Sequence, residues 1–188
     1  LGKAGSVEAD LKAVVAEFGL KGHYAEEMNA EADKLKINEI ERVNLTKLFC
    51  VTIDPVDAKD FDDAISIAPG DSDDEISLGV HISDVAAWIR PNSKFDKEAY
   101  SRSFSSYMPG MFMPMLPKNL TAKISLREKV ETSAHSVIFT VKKSTGEITG
   151  SKRMHSKIKV TARLSFKQVQ DFIDDPALAP KEWTSSFR

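Results

Sequence analysis

A chain of 188 residues that is 41% hydrophobic, 29% charged and 8% aromatic has the composition of an ordinary globular domain, with room for one core or one core plus a small appendage. Its apolar runs stay well short of the ~18 residues of a membrane span, so no membrane role is expected. A single cysteine, Cys50, excludes an internal disulfide and a zinc–cysteine cluster, and it suits a reducing, cytoplasmic setting. The net charge of −2 excludes a uniformly basic nucleic-acid binder, but the charge is segregated. Residues 1–84 hold 8 Lys/Arg against 19 Asp/Glu, whereas residues 118–167 hold 12 Lys/Arg against 3 Asp/Glu. Such a chain can gather cations in one place and phosphates in another, or simply present two solvated faces.

The first elements are helical. Ser6 is a plausible N-cap, Val7, Leu11, Val14, Val15 and Phe18 follow at helical spacing, and Gly19 stops the run. A second helical stretch covers about 24–36, with Tyr24, Met28, Ala32 and Leu35 on one face. Residues 1–47 therefore read as a helical linker or packing region without chemistry of its own.

From residue 48 the period changes. Leu48–Ile53 suits a buried strand, and residues 64–67 and 76–82 alternate as strands joined by the acidic turn Pro69-Gly70-Asp71-Ser72-Asp73-Asp74. After Pro91, Ser93-Lys94-Phe95-Asp96 resembles a capping box and opens a helix to about Arg102. Residues 107–117, with three prolines and four methionines, read as apolar but neither helix nor regular strand. Residues 135–142 and 147–160 form two strands about the turn Ser144-Thr145-Gly146, and a last helix is expected over Arg163–Ile173. The fold class is α+β: a mixed or antiparallel sheet with flanking helices, preceded by the short helical region.

The informative stretch is Thr52-Ile53-Asp54-Pro55-Val56-Asp57-Ala58-Lys59-Asp60-Phe61-Asp62-Asp63-Ala64. Five carboxylates sit where a loop folds from one strand back onto the next. Converging carboxylates stay ionised only beside a cation or a basic group. Hard oxygen ligands suit Mg²⁺, which takes one or two protein carboxylates and completes its shell with water and substrate phosphate. An EF-hand loop is excluded, because Ala64 and Ile65 stand where further ligands and a glycine are needed. Spacing alone leaves two readings open, a metal site and a solvated acidic turn. His81, within a strand, and His135, at a strand start, read as structural histidines.

This stretch resembles the defining motif of the ribonuclease II/ribonuclease R (RNB) catalytic domain. Further elements follow in the same order. Gly79-Val80-His81-Ile82-Ser83-Asp84-Val85 resembles the family's strand-to-helix segment, and Pro91-Asn92-Ser93-Lys94-Phe95-Asp96-Lys97-Glu98-Ala99 its helix start. Ser106-Tyr107-Met108-Pro109 and Pro114-Met115-Leu116-Pro117 resemble two short proline-containing elements.

The resemblance implies an RNB-like domain over residues 48–188, in its N-terminal part only, and a Mg²⁺-dependent 3′→5′ exoribonuclease acting on single-stranded RNA. Mn²⁺ would substitute for Mg²⁺. Carried over by position, the catalytic and metal-binding residues are Asp54, Asp60, Asp62 and Asp63. Asp54 and Asp63 act mainly as ligands, while Asp60 and Asp62 hold metal-bound water and the scissile phosphate. Asp57 is then a turn residue. Tyr107, Arg163 and Phe166 are the expected RNA-binding residues, and the basic segment 118–167 becomes a phosphate-facing wall.

Departures from the family pattern accompany the match. Ile124-Ser125-Leu126 stands for a cysteine-serine-leucine element, the Glu131-Thr132 region replaces an arginine, and Phe166 replaces a tyrosine. The family's catalytic domain also continues past residue 188 and is joined to oligonucleotide-binding domains, which are expected as missing partners. Leu1 and Arg188 accordingly read as the ends of a fragment. The alternatives are a non-catalytic RNA- or metal-binding module and a structural subunit of an RNA–protein assembly. Retention of four aspartates speaks against the last of these.

Overall fold

In the computed structural model, which describes residues 5–184, an alternating apolar pattern becomes one large sheet and the amphipathic segments become short helices. In chain order the elements are α1 (Val7–Glu17), α2 (Glu26–Lys34), β1 (Val43–Asn44), β2 (Cys50–Asp54), β3 (Asp63–Pro69), β4 (Glu75–Ser83) and α3 (Lys94–Arg102). Then follow β5 (Ser106–Met108), β6 (Met111–Met113), α4 (Lys118–Ile124), β7 (Glu131–Lys142), β8 (Ile148–Lys159), β9 (Ala162–Ser165), α5 (Phe166–Asp174) and α6 (Lys181–Thr184). Among the described residues no helix is long and apolar enough to cross a membrane. The α+β class is as the sequence implies.

The described residues gather into two compact units. One takes the residues through Asn38 together with Ala86–Ala122; the other takes Glu39–Val85 and the residues from Lys123 onward.

In the first unit Ser6 caps α1, its hydroxyl accepting from Ala9 N, as expected. Ser93 caps α3 by accepting from Asp96 N, but the reciprocal bond comes from Asn92: its N–H, not that of Ser93, donates to Asp96 Oδ2 at 2.7 Å. Tyr24 is buried, and the Arg102 guanidinium lies 3.9 Å from its ring centroid. Arg102 also donates to Lys21 O, Gly22 O and Pro114 O, so one side chain ties α3 to two loops.

Residues 107–117 differ from the expectation of wholly irregular chain. Residues 106–113 form a two-strand hairpin, β5 antiparallel to β6, with Tyr107 opposite Phe112. Pro109-Gly110 makes the turn: proline presets φ, and Gly110 supplies the positive φ of 71° that a side chain resists. α4, starting next to Pro117, is a further helix the sequence reading did not mark, although a proline at a helix start is its usual signal.

The second unit is built on a seven-stranded sheet in the order β1-β8-β7-β4-β3-β2-β9. Neighbours from β8 through β2 are antiparallel, and the two edge pairs, β1 with β8 and β2 with β9, are parallel. The β3–β4 hairpin is the one its turn residues predict. Ala64, Leu126, Ala134, Ile158 and Val160 form an apolar cluster, with Leu45 and Phe61 packed against it.

The same unit holds a polar relay. His81 is fully buried, with Ser66 Oγ 2.9 Å from Nε2 and Ser136 Oγ 2.6 Å from Nδ1; Ser136 in turn meets Ser156 Oγ at 2.6 Å. Four strands are thereby stitched by side chains as well as backbone, and His81 is structural, as the sequence suggests.

The last expected helix begins three residues late. Ala162–Ser165 is strand β9, paired in register with β2 (Val51 with Ala162, Asp54 with Ser165), and only then does α5 start. Ser165 and Gln168 make a full capping box, which fixes the helix start at Phe166.

Candidate metal centre

β2 ends on Asp54 and β3 opens with Asp63. Because these strands are antiparallel neighbours, the loop of residues 55–62 that joins them carries Asp57, Asp60 and Asp62 across the strand ends. Backbone bonds pin the loop. Ala58 N donates to Pro55 O, Leu126 N donates to Phe61 O at 2.8 Å, and Ser83 N donates to Asp62 O at 2.8 Å. Phe61 N donates to Ser125 Oγ at 3.4 Å, and the Ser83 hydroxyl reaches Asp62 Oδ1 at 3.4 Å. From the β9 side Arg163 Nη2 donates to Pro55 O and Val56 O at 3.2 and 2.9 Å, with its guanidinium 4.5 Å from the Phe61 ring centroid.

Two of the four expected aspartates, Asp54 and Asp62, sense the charge of the others. Desolvation first, then the negative charges of Asp63 and Asp60, push the Asp54 carboxyl above the ordinary carboxylate value, while Thr52 and Arg163 pull it back in part. Asp62 is raised by desolvation first and then by Asp60, Asp63 and Asp54, against a lowering contribution from the Ser83 hydroxyl. Asp57 is exposed in the loop and enters neither set of shifts.

One atom bears directly on a cation. Asp54 Oδ2 and Thr52 Oγ1 are both buried, and although the hydroxyl is near enough to lower the Asp54 pKa, no well-aligned hydrogen bond satisfies either atom. A buried carboxylate oxygen left bare is costly unless a positive charge meets it. Among the described residues no three His, Cys, Asp or Glu side chains form a ready-made metal cluster. Mg²⁺ needs only one or two protein carboxylates, with water and phosphate supplying the rest, so the donor set fits this ion.

The other expected site residues fall in different places. Phe166 is 60% exposed at the first position of α5, directly after the residue that pairs with Asp54. Arg163 reaches loop carbonyls. Tyr107 lies in the first unit, half exposed, its ring 4.7 Å from that of Phe112. The sequence reading missed Thr52, Ser83 and Ser125 as neighbours of the acidic loop. Ser83 carries a signal in hindsight: it shares the buried parity of His81 and ends the strand that β3 pairs with.

Comparison with known proteins follows the same lines. The RNB domain model matches residues 42–186. Ribonuclease R of Chlamydia pneumoniae is 36% identical over 180 residues, covering 93% of this chain and 26% of that protein. Mycoplasma genitalium ribonuclease R, solved in complex with ribose-methylated single-stranded RNA, superposes with a TM-score of 0.83 at 27% identity, over 94% of this chain and 28% of that one. The same enzyme solved with double-stranded RNA also matches at a TM-score of 0.83. The chain belongs to the RNB family, the exoribonuclease family of ribonucleases R and II. It spans about a quarter of the length of the curated relatives it matches, 26% in the Chlamydia pneumoniae case.

Proposed function

We propose that this chain carries the metal-binding part of a Mg²⁺-dependent 3′→5′ exoribonuclease that hydrolyses single-stranded RNA. The observation that carries the reading is the buried Asp54 Oδ2, which no well-aligned hydrogen bond satisfies and which the charges of Asp63 and Asp60 repel. RNA is the bound partner in the Mycoplasma genitalium ribonuclease R structures, which supports RNA as the partner here.

Asp54 and Asp63 would hold the ion. When bound, it neutralises charge on the phosphoryl group and makes water a better nucleophile. Asp60 and Asp62 would orient the attacking water against the terminal phosphodiester. Its oxygen would bond to phosphorus as the bond to the 3′-oxygen breaks, and a proton from the water would end on the departing 3′-oxygen, giving a nucleoside 5′-monophosphate and a 3′-hydroxyl on the shortened strand. Ser83 steadies Asp62, and Phe166 offers an exposed ring for base stacking, which is worth roughly 1–3 kcal/mol per base. Tyr107 offers a second ring from the first unit. The basic segment 118–167 supplies countercharge to the RNA backbone. The remainder of the catalytic domain and oligonucleotide-binding domains are the proposed partners of this portion, and the cytoplasm its proposed setting.

A second reading, a non-catalytic RNA- or metal-binding module, draws on Phe166 standing where the family has a tyrosine: its exposed ring has no hydroxyl to hydrogen-bond RNA. Titration with Mn²⁺, a spectroscopic stand-in for Mg²⁺, tests the site. Saturable binding is expected, weakened about tenfold or more by Asp54→Asn and by Asp62→Asn. Equally weak binding by all three proteins would overturn the site assignment. Tight binding without release of nucleotides from a single-stranded oligonucleotide would favour the module.

A further inference from the structure

Arg163 touches the acidic loop near both of its ends. Its Nη2 donates to the carbonyls of Pro55 and Val56, just after Asp54, and its guanidinium lies on Phe61, just before Asp62. The side chain starts from a fixed base, since the Arg163 backbone is paired with Thr52 in the parallel β2–β9 register. The loop between these two holds carries Asp57, Lys59 and Asp60 and has no helix or strand of its own; backbone bonds from Leu126 and Ser83 hold its far end, and Arg163 joins that end to Pro55 and Val56. A planar guanidinium can accept a ring against its face while its edge donates to two carbonyls; a lysine ammonium, a single point charge on a flexible stem, cannot do both.

We propose that Arg163 is a positioning residue, a strut from β9 that holds Pro55–Val56 and Phe61 at a fixed separation and so sets the spacing of Asp54, Asp60 and Asp62 before any cation arrives. This rests on the metal-site reading given above and changes the role expected for Arg163 from the sequence, that of an RNA contact. The strut works through the loop backbone and does not touch RNA or the reacting atoms.

The test uses the whole chain and two measurements. Without metal, amide hydrogen exchange at Ala58, Phe61 and Asp62 reads loop order independently of any metal site. In Arg163→Lys these amides are expected to exchange at least about tenfold faster, with β4 and β7 unchanged, and Mn²⁺ affinity is expected to fall about tenfold. The conserved charge of lysine makes failure to rescue a statement about geometry. Because Arg163→Lys can loosen β9 as a whole, Phe61→Leu provides a second variant that leaves Arg163 in place, and it too is expected to speed exchange in the loop alone. Loop exchange unchanged in both variants would overturn the strut. So would an Arg163→Lys protein that loses only oligonucleotide affinity while loop exchange and Mn²⁺ binding stay as they were. A wild-type chain that binds no Mn²⁺ would sink the metal-site reading instead, and the exchange data would still decide the strut.

Discussion

Asp54 and Asp62 are held against their own electrostatic preference. Both carboxyls sit above the ordinary carboxylate value, through desolvation first and the negative charge of their neighbours after it. A carboxyl raised in the fold stabilises it only while protonated: the contribution is complete below the unfolded pKa and is lost as pH rises through the folded one. At neutral pH, without a cation, the cluster therefore works against folding. Asp62→Asn, which removes one of the repelling charges and keeps the shape, is expected to raise the melting temperature by a few degrees in divalent-free buffer. It is also expected to abolish much of the further rise that Mn²⁺ gives the wild type. Calorimetry with and without metal reads both, and a lower melting temperature in divalent-free buffer would contradict the argument. The carboxylates of this site were legible because five of them crowd one short stretch between two alternating segments. The hydroxyls that hold them were not. Ser83 and Ser125 come from other elements, and a serine on a strand or in a turn carries no pattern that distinguishes a carboxylate partner from any other.

Strands β3 and β4 leave no room for a side chain at Gly79 on β4. A Cβ there would lie 2.3 Å from Ser66 Oγ and 2.7 Å from His81 Nε2, inside the relay that links β3, β4, β7 and β8. Gly79→Ala is expected to cost about 1–3 kcal/mol, read from urea unfolding, by forcing Ser66 and His81 apart. Wild-type stability in Gly79→Ala would show that the relay yields freely. The relay also fixes a pH dependence. Burial lowers His81 from 6.5 to about 4, so the neutral ring is the folded form. Its contribution is complete above the unfolded pKa and declines as pH falls from 6.5 toward about 4, by about 3 kcal/mol in all. His81→Gln should flatten the decline of the urea midpoint across that window; an unchanged decline would assign it to other groups. β2 was legible as a short apolar run, β3, β4 and β7 by their alternation, and β8 as the strand returning after the Ser144-Thr145-Gly146 turn. β9 was not, being only Ala162–Ser165 and running straight into the amphipathic stripe of α5. The Ser165–Gln168 capping box was the overlooked boundary. The Met-rich hairpin is hidden for a different reason: three prolines in eleven residues argue against any strand and mask the Pro109-Gly110 turn.

At the scale of the whole molecule, local hairpins could be read and distant pairings could not. Nothing in the alternation of β2 says that its outer edge will be taken by β9, or that β1 will lie along β8, because an edge pairing leaves its mark on backbone groups and not on residue type. These are the pairings that place residue 163 beside residue 52 and put a cation near the acidic loop. They also set an order of events. Chains are made from the N-terminus, and the Val56 carbonyl emerges 107 residues ahead of the arginine that will bind it. β3 can pair with β2 and β4 as soon as the three exist, but β9 can dock only after the intervening chain has closed a large loop, which is slow and entropically costly. A chain caught partway through synthesis thus displays every carboxylate of the site with neither the edge strand nor the guanidinium that orders them. If Arg163 is the strut proposed above, full ordering of the acidic loop is expected late in folding, and the nascent polypeptide then passes through a long interval in which it has the ligands without the geometry.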